Sequence, residues 1–198
     1  NLFNGMKILI TGSNGLLGQK IVRQLKKKNK PFLATSLGEN RNPDCPHAFY
    51  RQLDISNEVQ VNEVFTEYNP DAVIHTAAIT NVDYCETNAE LCHKVNVTAT
   101  AYLFAAAQRV EAHFSLLSTD FVFDGAKGDY SETDVTNPLS VYANSKVDAE
   151  SILTKSPSRN WSIIRTIIVF GEGNNLSRSN IVLWAKDALS SGKELNII

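Results

Sequence analysis

The stretch MKILITGSNGLLGQKIVRQLKKK, residues 6–28, constrains the fold more than any other part of the chain. A short β-rich run leads into three glycines, Gly12, Gly15 and Gly18, and the residues after them place Leu17, Ile21, Val22 and Leu25 on one helical face. The unit is strand, tight turn, helix. Each glycine of this GxxGxxG spacing has its own reason: Gly12 permits the turn, Gly15 lets backbone amides approach a pyrophosphate, and Gly18 lets the helix pack closely on the strand. Ser13, Asn14, Leu16 and Leu17 complete a candidate dinucleotide-binding loop. A plain strand-to-helix turn would use the same glycines, so the rest of the chain has to decide between the two.

The same alternation recurs. PFLATS and AFYRQLD read as strands, SNEVQVNEVFTEY as a helix capped by Ser56, and DAVIHTAA as a strand. A long helical region from about Glu86 to Arg109 precedes the strand HFSLLS; a helix from about Ser140 to Leu153 precedes the strand WSIIRTIIVF. The helix NIVLWAKDALSSG and a strand start, ELNII, end the sequence. Apolar, β-branched strands alternating with helices predict an α/β fold, a Rossmann-type doubly wound parallel sheet with helices on both faces. Residues 6–198 form this domain. Residues 1–5, NLFNG, stand before the only methionine, Met6, and read as a leader or an appended remnant outside the fold. The two longest irregular stretches, 37–48 and 124–139, follow strands, where ligands bind in parallel sheets.

With 43% hydrophobic residues and a formal net charge of −2, the chain has ample material for one core and no basic field for a phosphate backbone, so no nucleic-acid partner is expected. KKKNK, the only basic run, sits where a helix ends and favours the dipole. No apolar run approaches the ~18 residues of a membrane span, and three cysteines cannot pair completely. A reducing cytoplasm suits them. Cys85, Cys92 and His93 with Cys45 and His47 lack paired CxxC spacing, so packing is expected and no metal.

Two further segments carry chemistry. In STDFVFDG, a buried strand ends in Ser118, Thr119 and Asp120, polar groups that are costly to bury without a partner or ligand. VYANSK puts Tyr142 and Lys146 four residues apart, on one helix face, where a protonated lysine lowers the pKa of a phenol toward that of a working general acid. At the end of the second strand, Ser36 with nearby Arg41 favours a 2′-phosphate and hence NADPH, while Glu39 keeps NADH open. Asp54 could accept from the adenine amino group or simply neighbour a helix cap.

GSNGLLG, HTAAITNVD, STDFVFDG, VYANSK and RTIIVFG, in this order, resemble the extended short-chain dehydrogenase/reductases, specifically the dTDP-4-dehydrorhamnose reductases. The resemblance spans residues 6–198. It implies a catalytic set of Thr119, Tyr142 and Lys146, with Thr119 on the substrate carbonyl and Asp120 beside the sugar. It also implies that Gly15, Leu16 and Leu17 line the pyrophosphate, Asp54 and Ile55 the adenine, and Ala77, Ala78, Ile79 and Thr80, with Ser118, the way to the nicotinamide ribose. The reaction implied is NADPH-dependent reduction of dTDP-4-dehydro-L-rhamnose, a nucleotide-linked sugar, with a homodimer left open and a smaller substrate lobe expected beyond residue 198. Two departures matter. Phe121 replaces the glutamate of the dehydratases' STDE, which favours simple reduction. Ile168 stands where rhamnose reductases often carry a tryptophan against the sugar, which leaves the sugar open. A non-catalytic NADP-binding subunit similar to that of methionine adenosyltransferase, or a sugar-nucleotide epimerase, would share the same motifs.

Overall fold

The computed structural model describes residues 5–176 and 180–194. Among these residues six strands form one sheet: β1 (Ile8–Thr11), β2 (Phe32–Ser36), β3 (Tyr50–Gln52), β4 (Ala72–His75), β5 (His113–Thr119) and β6 (Trp161–Thr166). All pairings are parallel, in the order β3-β2-β1-β4-β5-β6. This is the doubly wound order, and its direction of winding reverses between β1 and β4. The crossovers are α1 (Leu16–Lys27), α2 (Glu58–Tyr68), a helical run made of α3 (Val82–Thr87), α4 (Ala89–His93), a π turn (Lys94–Thr98) and α5 (Ala99–Arg109), and then α6 (Val141–Thr154); α7 (Ile181–Ser190) follows β6.

Strand alternation divides the core. Leu9, Val73, Phe114 and Leu116 face one way and pack with Val64 and Phe65 of α2, Leu103 and Phe104 of α5, and Leu153 of α6. Phe104 meets Phe114 edge to face, with ring centroids 5.4 Å apart. Ile10, Phe32 and Ala34 face the other way, against Val22 of α1 and Cys45. Coverage of the two faces is unequal, because α7 buries only Ala188 and Ile164 on β6 remains half exposed.

Several boundaries differ from the sequence reading. The last predicted strand stops at Thr166, since β5, its sole neighbour among the described residues, ends at the paired Thr119; Ile167, Ile168 and Phe170 run on exposed. The single long helix up to Arg109 is instead broken, with Asn81 capping α3 and Asn88 at the α3–α4 junction. The cap of α2 is Asn57, whose side chain accepts from Val59 and Gln60, while Ser56 donates to Asp54. The expected strand start at 195–198 and residues 1–4 of the expected leader lie outside the described residues. Among the described residues no helix is long and apolar enough to cross a membrane.

Candidate active site

The glycine turn forms first, by backbone sterics. Gly12 has φ +75°, and an added Cβ would lie 2.7 Å from the Ala77 amide on β4's extension. A Cβ on Gly18 would lie 2.3 Å from the Gly12 carbonyl oxygen, so only glycine lets α1 approach β1 this closely. Gly15 is the N-cap of α1 and offers no side-chain cap, which leaves first-turn amides of the helix turned toward whatever occupies the turn. Asn14 organises the flank: its amide nitrogen donates to Glu39 O at 2.8 Å, and its side-chain oxygen accepts from the Arg41 backbone at 2.9 Å. Arg41 is thereby brought to the cleft.

That cleft has a volume of about 590 Å³ and runs from the glycine turn to the end of β5. Thr119 terminates β5, and its hydroxyl caps a short 3₁₀ turn, Asp120–Val122, by accepting from Phe121 N at 3.3 Å while donating to Asp120 Oδ1 at 3.2 Å. Ser140 caps α6 through the Ala143 amide, which starts the helix at Val141, directly before Tyr142. Tyr142 packs edge to face on Phe121, with centroids 6.3 Å apart, and over Cys85 and Cys92. One turn on, Lys146 is 3% exposed and donates to Leu117 O at 2.8 Å. Burial pulls its pKa down to about 8, against the raising influence of Glu150 and Cys92.

Of the residues singled out from sequence, Gly12, Asn14, Gly15, Leu16, Leu17, Gly18, Arg41, Ala78, Thr80, Ser118, Thr119, Asp120, Phe121, Tyr142, Lys146 and Ile168 share this one cleft. The others do not line it. Ser13 is fully buried, and Ser36 accepts from the Asn14 amide at 3.0 Å, which ties the end of β2 to the glycine loop. Asp54 lies in a neighbouring hollow with Arg51 and Gln60, where its Oδ1 accepts from both the amide and the hydroxyl of Ser56, the cap-neighbour arrangement. Ile55 is in the core, Ala77 donates weakly to the Thr11 hydroxyl, and Ile79 is held by its backbone.

Three buried side chains that frame the cleft escaped the sequence reading. Asn96, inside the π turn, accepts from Ile79 N at 2.8 Å and donates to Ile79 O at 2.9 Å and Ser145 Oγ at 3.0 Å, tying β4's extension to α6. An asparagine among β-branched residues in the middle of a helix was the available signal. His75 bridges Thr11 and Thr100. Thr100 commits its hydrogen to Asn96 O, so the His75 Nε2 carries the proton and Nδ1 accepts from Thr11. Burial, with the Lys146 charge, pushes the His75 pKa to about 3, which keeps this bridge neutral. The third is Glu150, on α6.

Residues 6–198 match the family described as the RmlD substrate binding domain. The chain belongs to that family. Among its relatives, the dTDP-4-dehydrorhamnose reductase of Aggregatibacter actinomycetemcomitans is 37% identical over 180 residues, which cover 89% of this chain and 56% of that protein. Methionine adenosyltransferase 2 subunit beta of Bos taurus is 26% identical over 191 residues, 96% of this chain and 55% of the other. The crystal structure of dTDP-4-dehydrorhamnose reductase from Bacillus anthracis, in complex with NADP, superimposes with a TM-score of 0.79 at 27% identity, covering 94% of this chain and 60% of that one. The RmlD-family chain thus spans little more than half the length of these relatives.

Proposed function

We propose that this RmlD-family cleft binds NADPH and reduces the C4 ketone of a nucleotide-linked sugar, dTDP-4-dehydro-L-rhamnose. The observation that carries the reading is the meeting, in one cleft, of the glycine turn at the end of β1 with Thr119, Tyr142 and Lys146 at β5 and α6. The residues fit the cofactor: a turn without side chains at Gly12 and Gly15, uncapped amides at the start of α1, and Arg41 on the wall. Arg41 lines the end of the cleft away from Asp120, where its guanidinium would meet a 2′-phosphate, with Glu39 two residues before it in the same loop.

NADPH supplies the hydride when bound. Tyr142 donates the proton to the ketone oxygen, and Thr119, by turning its hydroxyl from Asp120, adds a second donor to the developing alkoxide. Lys146 keeps one N–H on Leu117 O and has two more for the nicotinamide ribose and the phenol. Its positive charge favours the phenolate left behind after proton transfer. Phe121 shields the phenol from one side.

The test is NADPH absorbance with the full-length gene product and a panel of nucleotide 4-keto sugars. Turnover with the dTDP sugar supports the reading. The similarity to a methionine adenosyltransferase subunit favours a second one, a non-catalytic NADP-binding subunit; NADPH binding without turnover on any sugar of the panel would select it. An epimerase would need no added reductant.

A further inference from the structure

Behind the strand end that carries Thr119 lies a carboxylate to which the proposed reduction gives no task. Glu150 is one helical turn beyond Lys146 on α6, and the two side chains are 5% and 3% exposed. A carboxylate this deep needs partners. Its Oε1 accepts from Arg165 Nε at 3.0 Å and from the Ser118 hydroxyl; its Oε2 accepts from Arg165 Nη2 at 2.6 Å. Ser118 and Arg165 are register partners on β5 and β6, so one carboxylate bridges both strands. Arg165 is itself fixed, over the Phe123 ring at 5.1 Å and on Glu132 O at 3.3 Å. Lys146 meanwhile bonds Leu117 O. Two successive turns of α6 therefore grip two successive residues, Leu117 and Ser118, directly before Thr119.

We propose that Glu150, held by Arg165 and Ser118, is a positioning residue that keeps Lys146 charged and fixes the end of β5; this rests on the reductase reading of the cleft. The groups around Lys146 leave Glu150 as the main source of that charge. From α6 come Tyr142 and Glu150, from α4 comes Cys92, from β6 comes Arg165, a cation spent on Glu150, and from β4 comes His75, which stays neutral and cannot stabilise an ammonium. Burial acts on Lys146 in the opposite sense, toward neutrality, and Glu150 is the first of the two groups that oppose it. A charged residue four positions away on a helix lies close enough to matter in so dry a setting.

The test is the pH profile of kcat/KM, with NADPH titrated over the same range. Tyr142 and Lys146 lose a proton as a coupled pair on the alkaline limb. Removing a negative charge beside the pair lowers its apparent pKa, so Glu150→Gln should move that limb toward acid by about one unit, with roughly tenfold less activity at pH 8 and near-convergence at pH 6. Glu150→Asp, which keeps the charge, should restore the limb. Ser118→Ala, which removes only a hydrogen bond, should leave the limb where it is. The double variant Glu150→Gln/Arg165→Met removes the cation as well, guards against a fold that fails on an unpaired arginine, and should shift the limb in the same direction by less, because the cation leaves with the anion. A limb that superimposes on the wild type in folded variants with normal NADPH affinity would overturn the proposal. So would the failure of both the single and the double variant to fold, which would make the network purely structural. If the wild type binds NADPH but reduces no sugar, the reductase reading falls by itself, and the pH dependence of NADPH affinity reports the same limb.

Discussion

Lys146→Met should make the cofactor-free protein more stable while abolishing its chemistry. The wild-type lysine is almost wholly buried, and its pKa falls from an ordinary 10.5 to about 8. Below about pH 8 it is charged in both folded and unfolded chains, so the whole penalty of burying the charge is present, roughly 3 kcal/mol for a shift of this size. Between pH 8 and 10.5 the folded lysine gives up its proton while the unfolded one keeps it, so the penalty fades and the wild type gains stability as pH rises. Methionine has similar length and no charge. It forfeits a charged hydrogen bond to Leu117 O, a loss of about 1.5–3 kcal/mol. The net gain at pH 7 is then roughly 0–1.5 kcal/mol, or a Tm higher by up to about 6 °C for a chain of this size. Urea unfolding of both proteins at pH 7 and pH 10 measures it, with the difference between them shrinking at pH 10. A methionine variant less stable than the wild type at pH 7, or a difference equal at both pH values, would refute the electrostatic reasoning about Lys146. NADPH affinity and turnover should both collapse in the same variant.

Other substitutions probe other parts of the cleft. Gly18→Ala forces a Cβ onto the Gly12 carbonyl, a backbone atom that cannot step aside, and should cost about 1–3 kcal/mol in urea unfolding and weaken NADPH binding; an unchanged midpoint would remove the close packing of α1 from the account. Arg41→Ala should weaken NADPH more than NADH in calorimetry, and equal losses would take the arginine away from the 2′-phosphate. Thr119→Val should lower kcat by about 10- to 1000-fold with NADPH affinity little changed, because a carbonyl donor acts mainly in the transition state.

What could be read in the sequence was what local sterics and periodicity control. Gly12 and Gly18 are glycines because any Cβ would strike backbone, and that requirement leaves a fixed spacing between a strand and a helix. Tyr142 and Lys146 were legible because helical geometry puts positions four apart on one face. Residues whose role depends on a partner far along the chain were not. That Ser36 also accepts from the amide of Asn14, 22 residues earlier, is a bond no local pattern announces. Glu150 carries no local signal of its role, since its partner Arg165 belongs to the next strand. The end of the last strand was misplaced because Ile167–Phe170 have β-forming side chains but, among the described residues, no strand to pair with once β5 has turned away at Thr119. Asn96 was hidden by a π turn, which no periodicity announces.

The most direct test of the central claim compares the wild type with Tyr142→Phe, which keeps the ring against Phe121 and removes only the hydroxyl. Steady-state NADPH oxidation with dTDP-4-dehydro-L-rhamnose should proceed in the full-length wild type and fall by at least ~100-fold in kcat in the variant, with NADPH titrating normally into both. A phenylalanine variant with near-normal kcat would contradict the assignment of this cleft as a tyrosine-driven reductase site.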